Sequence, residues 1–85
     1  MPQIDIYTTT VCPYCVRAKM LLDKKGAEYT EINLNQDPGK REEMVTRAPG
    51  VRTVPQIFIG ETHVGGCDDL YELELDGKLD DLLKS

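Results

Sequence analysis

Pro13 constrains this chain more than any other residue. Proline lacks an N–H and is tolerated in a helix only in the first turn. It stands between two runs of different period. Residues 4–8, Ile-Asp-Ile-Tyr-Thr, alternate apolar and polar and are rich in β-branched and aromatic side chains, which marks a short strand. After Pro13, Val16 and Met20 with Ala18, Leu21 and Leu22 recur at helical spacing until Gly26 stops the pattern. The backbone must therefore turn from strand into helix at residues 9–12. Cys12 sits at the corner and Cys15 one helical turn further in.

The remaining pattern extends that start. Residues 29–34 alternate again, with Thr30, Ile32 and Leu34 on one side. Asp37 followed by Pro38 reads as an N-cap with proline at the first helical position, opening a second helix that runs to Ala48. Pro49-Gly50 breaks it. Gln56–Ile59, the turn Gly60-Glu61 and residues 62–64 read as a hairpin. Beyond Gly65-Gly66, Asp68 or Asp69 would cap a helix turning Leu70, Leu73 and Tyr71 inward. A last short helix around Leu79, Leu82 and Leu83 follows Gly77. The order βαβαββα, with a parallel crossover followed by an antiparallel hairpin, predicts an α/β fold with a four-stranded mixed sheet flanked by helices. Eighty-five residues without a linker or repeat predict a single domain over residues 1–85.

Charge narrows the function. Ten basic against fifteen acidic side chains give −5, which argues against a nucleic-acid or acidic-membrane binder. The acid is concentrated late: residues 53–85 carry two basic and eight acidic side chains, whereas residues 1–52 carry eight and seven. A small anionic ligand would thus be held by local features or backbone N–H groups. No apolar run approaches the roughly 18 residues of a membrane span, and the first residues lack a basic, then apolar, leader pattern. Three cysteines cannot all pair internally. The expectation is a reducing, cytoplasmic setting and a monomer.

The two thiols at the corner imply chemistry. The N–H groups of Tyr14 and Cys15 have no acceptor within the helix and can point at the Cys12 sulfur, favouring thiolate. An unperturbed thiol with pKa about 8.5 is only about 3% ionised at pH 7, so this matters for nucleophilicity. Cys12 reads as the nucleophile, and the less exposed Cys15 as the thiol that resolves a mixed disulfide on Cys12. The competing reading is a zinc knuckle completed by His63 and Cys67. A CxxC directly between strand and helix is the context of a redox motif.

Three features in order, Cys12-Pro13-Tyr14-Cys15, Thr53-Val54-Pro55 and Gly65-Gly66-Cys67-Asp68-Asp69, resemble the glutaredoxin family, in its short bacterial two-cysteine form. The resemblance runs nearly end to end and implies a thioredoxin-like fold. It implies a cis bond before Pro55, facing the cysteines, so that the Val54 backbone pairs with the cysteinyl part of glutathione and Thr53 flanks that edge. It also implies that N–H groups around Gly66, Cys67 and Asp68 hold the γ-glutamyl carboxylate while Asp69 meets the ammonium. Arg41 would reach the glycine carboxylate, and the Tyr14 ring would lie beside the cysteines. Cys67 is expected to pack and lend its backbone. His63 is given no role.

The implied activity is a glutathione-dependent thiol-disulfide oxidoreductase acting through Cys12 and Cys15, with no bound cofactor or metal. Its substrates would be protein disulfides and protein-glutathione mixed disulfides, ribonucleotide reductase among them. NADPH would enter through glutathione reductase. The alternatives are a glutaredoxin-like redoxin reduced by thioredoxin reductase, and a zinc or iron-sulfur binding module. Thioredoxins carry a tryptophan beside the motif, and this chain has none. One departure stands out: Thr9 occupies the position where many relatives have a lysine, which leaves the Cys12 thiolate with less cationic support.

Overall fold

The computed structural model describes residues 2–84. Met1 and Ser85, the ends of the expected domain, lie outside the described residues. Four strands, β1 (Ile4–Thr8), β2 (Thr30–Asn33), β3 (Gln56–Ile59) and β4 (Thr62–Gly65), form one sheet in the order β2-β1-β3-β4. β1 and β2 are parallel, and the other two pairings are antiparallel. Helices α1 (Pro13–Lys24), α2 (Lys40–Arg47), α3 (Cys67–Leu75) and α4 (Leu79–Lys84) complete the order βαβαββαα. This is the expected mixed sheet flanked by helices in a thioredoxin-like arrangement, and α4 is the last short helix expected around Leu79, Leu82 and Leu83, which the order βαβαββα left uncounted. No described helix is long and apolar enough to cross a membrane.

The period-2 pattern of the strands divides the core in two. Ile4, Ile6, Ile57 and Ile59 face α1, α3 and α4, where Ala18, Leu21, Leu22, Leu70, Leu79 and Leu83 meet them. On the other face Tyr7 and Phe58 pack with Leu34, Met44 and Ala48 beneath α2. The Tyr7 and Phe58 rings meet edge to face at 5.8 Å. Arg47 ties α2 to this face: its guanidinium lies 4.0 Å over the Phe58 ring and donates to Asp5 and to the Tyr7 hydroxyl. That hydroxyl in turn donates to Glu43 at 2.7 Å. Burial and the acceptor Glu43 push the Tyr7 pKa up against the opposing pull of Arg47.

Several expectations shift in detail. Val16 and Met20 are exposed, at 51% and 62%; the inward stripe of α1 is Cys15, Ala18, Leu21 and Leu22. Apolar residues lie all round this helix, so composition alone does not choose the buried face. Gly26 does end the helix, at φ 70, with the Ala27 N–H bonded back to the Leu22 carbonyl. The regular part of α2 begins at Lys40, because Asp37 and Pro38 form a turn whose carbonyls accept from Lys40 and Arg41, three residues on. Tyr71 remains 38% exposed and sends its hydroxyl to the Arg17 carbonyl at 3.0 Å. The cap of α3 is Gly66, with Asp68 and Asp69 inside the first turn.

Candidate functional site

The corner forms as the proline demands. Cys12 is extended, with φ −151 and ψ 96, and caps α1, with Pro13 opening the helix. Its sulfur accepts the Cys15 N–H at 3.1 Å. Cys12 and Cys15 are joined as a disulfide with their Cα atoms 5.2 Å apart. Cys12 is half-buried while Cys15 is 2% exposed, so an incoming partner reaches the first sulfur and not the second. Val11 and Tyr14 flank it, exposed at 90% and 55%.

Two backbone segments approach each other beside this corner. One is the loop between α2 and β3, which ends in a cis Val54-Pro55 bond, as the family resemblance implied. The other is the Gly65-Gly66 turn. A Cβ on Gly66 would lie 3.5 Å from the Pro55 carbonyl, and a Cβ on Gly65, whose φ is +110, would run into the Asp69 carboxylate. Glycine at 65 is therefore required both by backbone conformation and by space. The space is used: Asp69 Oδ2 accepts the Gly66 N–H at 2.9 Å, stabilising the start of α3. The first-turn N–H groups of α3 have no acceptor within the helix and favour negative charge nearby.

Between the two segments lies an open groove of about 340 Å³. Tyr14, Thr53, Val54, Pro55, Gly66, Cys67, Asp68 and Asp69, all singled out from sequence, line it. Arg41 is outside the lining. Its Nη1 donates to the Arg52 carbonyl at 3.2 Å, which anchors the loop just before Thr53. Cys67 is 5% exposed, and burial, then the neighbouring Asp68, push its thiol pKa up against the opposing effect of Arg17. It stays a thiol where a reactive cysteine would ionise.

Sequence reasoning missed three lining residues, Val51, Gln56 and His63. His63 pairs across the hairpin with Phe58 and stacks on its ring at 4.8 Å, and its Nε2 lies 2.7 Å from Gln56 Oε1. The Cys12, Cys15, His63, Cys67 set of the zinc reading is not brought together, and among the described residues no three His, Cys, Asp or Glu side chains converge for a metal. The signal for His63 was its place opposite Phe58 in a hairpin, which puts both rings on one face.

The wider comparison agrees with this geometry. The glutaredoxin family model matches residues 4–64. The chain is 58% identical over 85 residues to a glutaredoxin of Pseudomonas aeruginosa, covering 100% of each chain. It is 54% identical over 84 residues to glutaredoxin 3 of Escherichia coli K12, covering 99% of this chain and 100% of that one. A buckwheat glutaredoxin solved in complex with glutathione superposes with a TM-score of 0.88 at 38% identity, over 98% of this chain and 77% of that one. With a sulfur pair of unequal exposure at the head of α1 and relatives that cover its whole length, this chain is a thiol-disulfide oxidoreductase and belongs to the glutaredoxin family.

Proposed function

We propose that this protein reduces protein disulfides and protein-glutathione mixed disulfides with glutathione as electron donor. One observation carries the reading: the groove beside Tyr14 joins the Val54-Pro55 loop to the N-terminus of α3. That arrangement suits a small extended peptide carrying a negative end. The Val54 N–H and C=O serve the cysteinyl backbone as a neighbouring strand would, with Thr53 beside them. The N–H groups of Cys67 and Asp68 serve the γ-glutamyl carboxylate, Gly66 spending its own N–H on Asp69, and the Asp69 carboxylate attracts the ammonium. The Tyr14 ring covers the tripeptide near its sulfur. Arg41 serves the glycine carboxylate only if it exchanges its bond to Arg52. The glutathione in the buckwheat complex supports this assignment by kinship.

In the one-cysteine route, Cys12 thiolate attacks the glutathione sulfur of a mixed disulfide and releases the protein thiolate. A second glutathione thiolate then attacks the glutathione sulfur on Cys12, giving glutathione disulfide and free Cys12. In the two-cysteine route, Cys12 attacks a protein disulfide, and Cys15 attacks the Cys12 sulfur and expels the reduced protein. Two glutathiones then reopen the Cys12–Cys15 bond. Glutathione reductase and NADPH return the glutathione disulfide to thiol. The setting is the reducing cytoplasm and the working form a monomer, with ribonucleotide reductase among the disulfide substrates.

The test is NADPH oxidation with glutathione, glutathione reductase and a small glutathionylated substrate. Cys12→Ser should be inactive and Cys15→Ser active. An inactive wild type that is instead reduced by thioredoxin reductase would transfer the protein to the redoxin alternative.

A further inference from the structure

Two polar side chains are fully enclosed among the described residues, Thr8 and Gln56. Gln56, 3% exposed, spends both ends of its amide on the groove wall. Its Nε2 donates to Thr53 Oγ1 at 3.3 Å, and its Oε1 meets His63 Nε2 at 2.7 Å. A glutamine amide donates at one end and accepts at the other, so the two bonds are linked. With Oε1 toward the ring, His63 must carry its hydrogen on Nε2. With Nε2 toward the threonine, the Thr53 oxygen is an acceptor, and its own proton is free to point into the groove. The reversed arrangement needs a bare Nε2 on His63. Thr53 would then spend its proton on Gln56 and show the groove lone pairs only.

We infer that His63, acting through Gln56, is a positioning residue that makes the Thr53 hydroxyl a hydrogen-bond donor to a carboxylate or carbonyl oxygen of the bound tripeptide. The inference rests on the glutathione reading of the groove. Glutathione carries two carboxylates and two amide carbonyls, so a donor at Thr53 suits it and an acceptor does not. An imidazolium can only donate, whereas a neutral ring adopts either tautomer. Protonating His63 therefore removes the reversed arrangement and favours the ligand. The ring cannot turn away cheaply, because it is stacked on Phe58 within the β3–β4 hairpin.

His63 is exposed, and charged groups flank it from the neighbouring elements. Arg47 of α2 lies over the same Phe58 ring, and Glu61 is at the hairpin turn. Asp68, Asp69 and Glu72 of α3, with Asp76 and Lys78 just beyond, share its two flanking grooves. These charges act on His63 equally whichever residue stands at 53. A comparison of Thr53 variants thus separates the hydrogen-bond relay from the local field.

S-Methylglutathione, which has no thiol to ionise, would be titrated into the oxidised protein and followed through the groove amides by NMR. Wild type should bind about threefold more tightly near pH 5.5 than near pH 8, within the worth of one net hydrogen bond across the range where imidazole changes charge. His63 is the only histidine in the chain. Thr53→Ser should keep that ratio, while Thr53→Val and His63→Phe, both near in shape, should bring it to one. The same ratio in wild type and Thr53→Val, or no pH dependence in wild type, would overturn the relay while leaving the groove assignment standing. No movement of the groove amides at either pH would remove glutathione from the groove, and the relay with it.

Discussion

Gly65→Ala offers a sharp test of how the glycine turn shapes the site. Gly65 has φ +110, a conformation in which a residue with a side chain costs about 1–3 kcal/mol. The added methyl would also lie 3.2 Å from Asp69 Cβ and in collision with its carboxylate. Asp69 must then swing away and give up the Gly66 N–H, a capping interaction worth about 1 kcal/mol. The two effects together predict a loss of about 2–4 kcal/mol. Gly66→Ala is the internal control. Gly66 has φ −96, and its methyl would meet the Pro55 carbonyl at an ordinary 3.5 Å. Reduced freedom of the unfolded chain offsets that contact, so the change should stay within about 1 kcal/mol. Urea unfolding followed by circular dichroism measures both, and the assay for glutathionylated substrate should show a higher KM for Gly65→Ala alone. Equal unfolding midpoints for the two variants would refute the reasoning.

Two further outcomes follow from groups outside the groove. Burial raises the Glu31 pKa, but hydrogen bonds from Thr8 and Lys19 outweigh it and hold the carboxyl below its ordinary 4.5. A pKa lowered on folding stabilises fully above the unfolded value and is lost as pH falls through the folded one, so Glu31→Gln should destabilise at neutral pH and converge with wild type once the pH has fallen well below 4.5. An acid titration of unfolding free energy in which the deficit persists there would exclude the ionic contribution. Tyr7→Phe removes the hydroxyl shared by Glu43 and Arg47; because both partners reach water, the cost should be about 1–2 kcal/mol by urea unfolding, with turnover unchanged. A variant as stable as wild type would show that the network adds nothing.

Much of this molecule was legible because its punctuation is local. Pro13 placed the head of α1, Gly26 its end, and Gly60-Glu61 the hairpin turn, each through backbone constraints that need no tertiary partner. What failed depended on neighbours. Val16 and Met20 look like core by spacing, yet the sheet meets the adjacent stripe of Ala18 and Leu22. Asp69 was read as a ligand group and as one of two candidate caps, and only the structure shows Gly66 in the cap position with Asp69 inside the first turn holding its N–H. Gln56 was read only as the first residue of a hairpin strand. Its two bonds join a loop to the facing strand, a relation that no periodicity encodes.

The site is assembled from pieces widely separated along the chain: the cysteines at 12 and 15, the cis-proline loop at 53–55 and the glycine turn at 65–69. During synthesis the two thiols emerge early and can begin exchanging with any disulfide they meet. Its cradle exists only when β3 and β4 have joined β1, which needs almost the whole polypeptide and the closure of long loops. A nascent or partly unfolded copy would therefore be chemically competent but indiscriminate. Selectivity in this protein arrives with the completed sheet, as a property of folding more than of the motif itself.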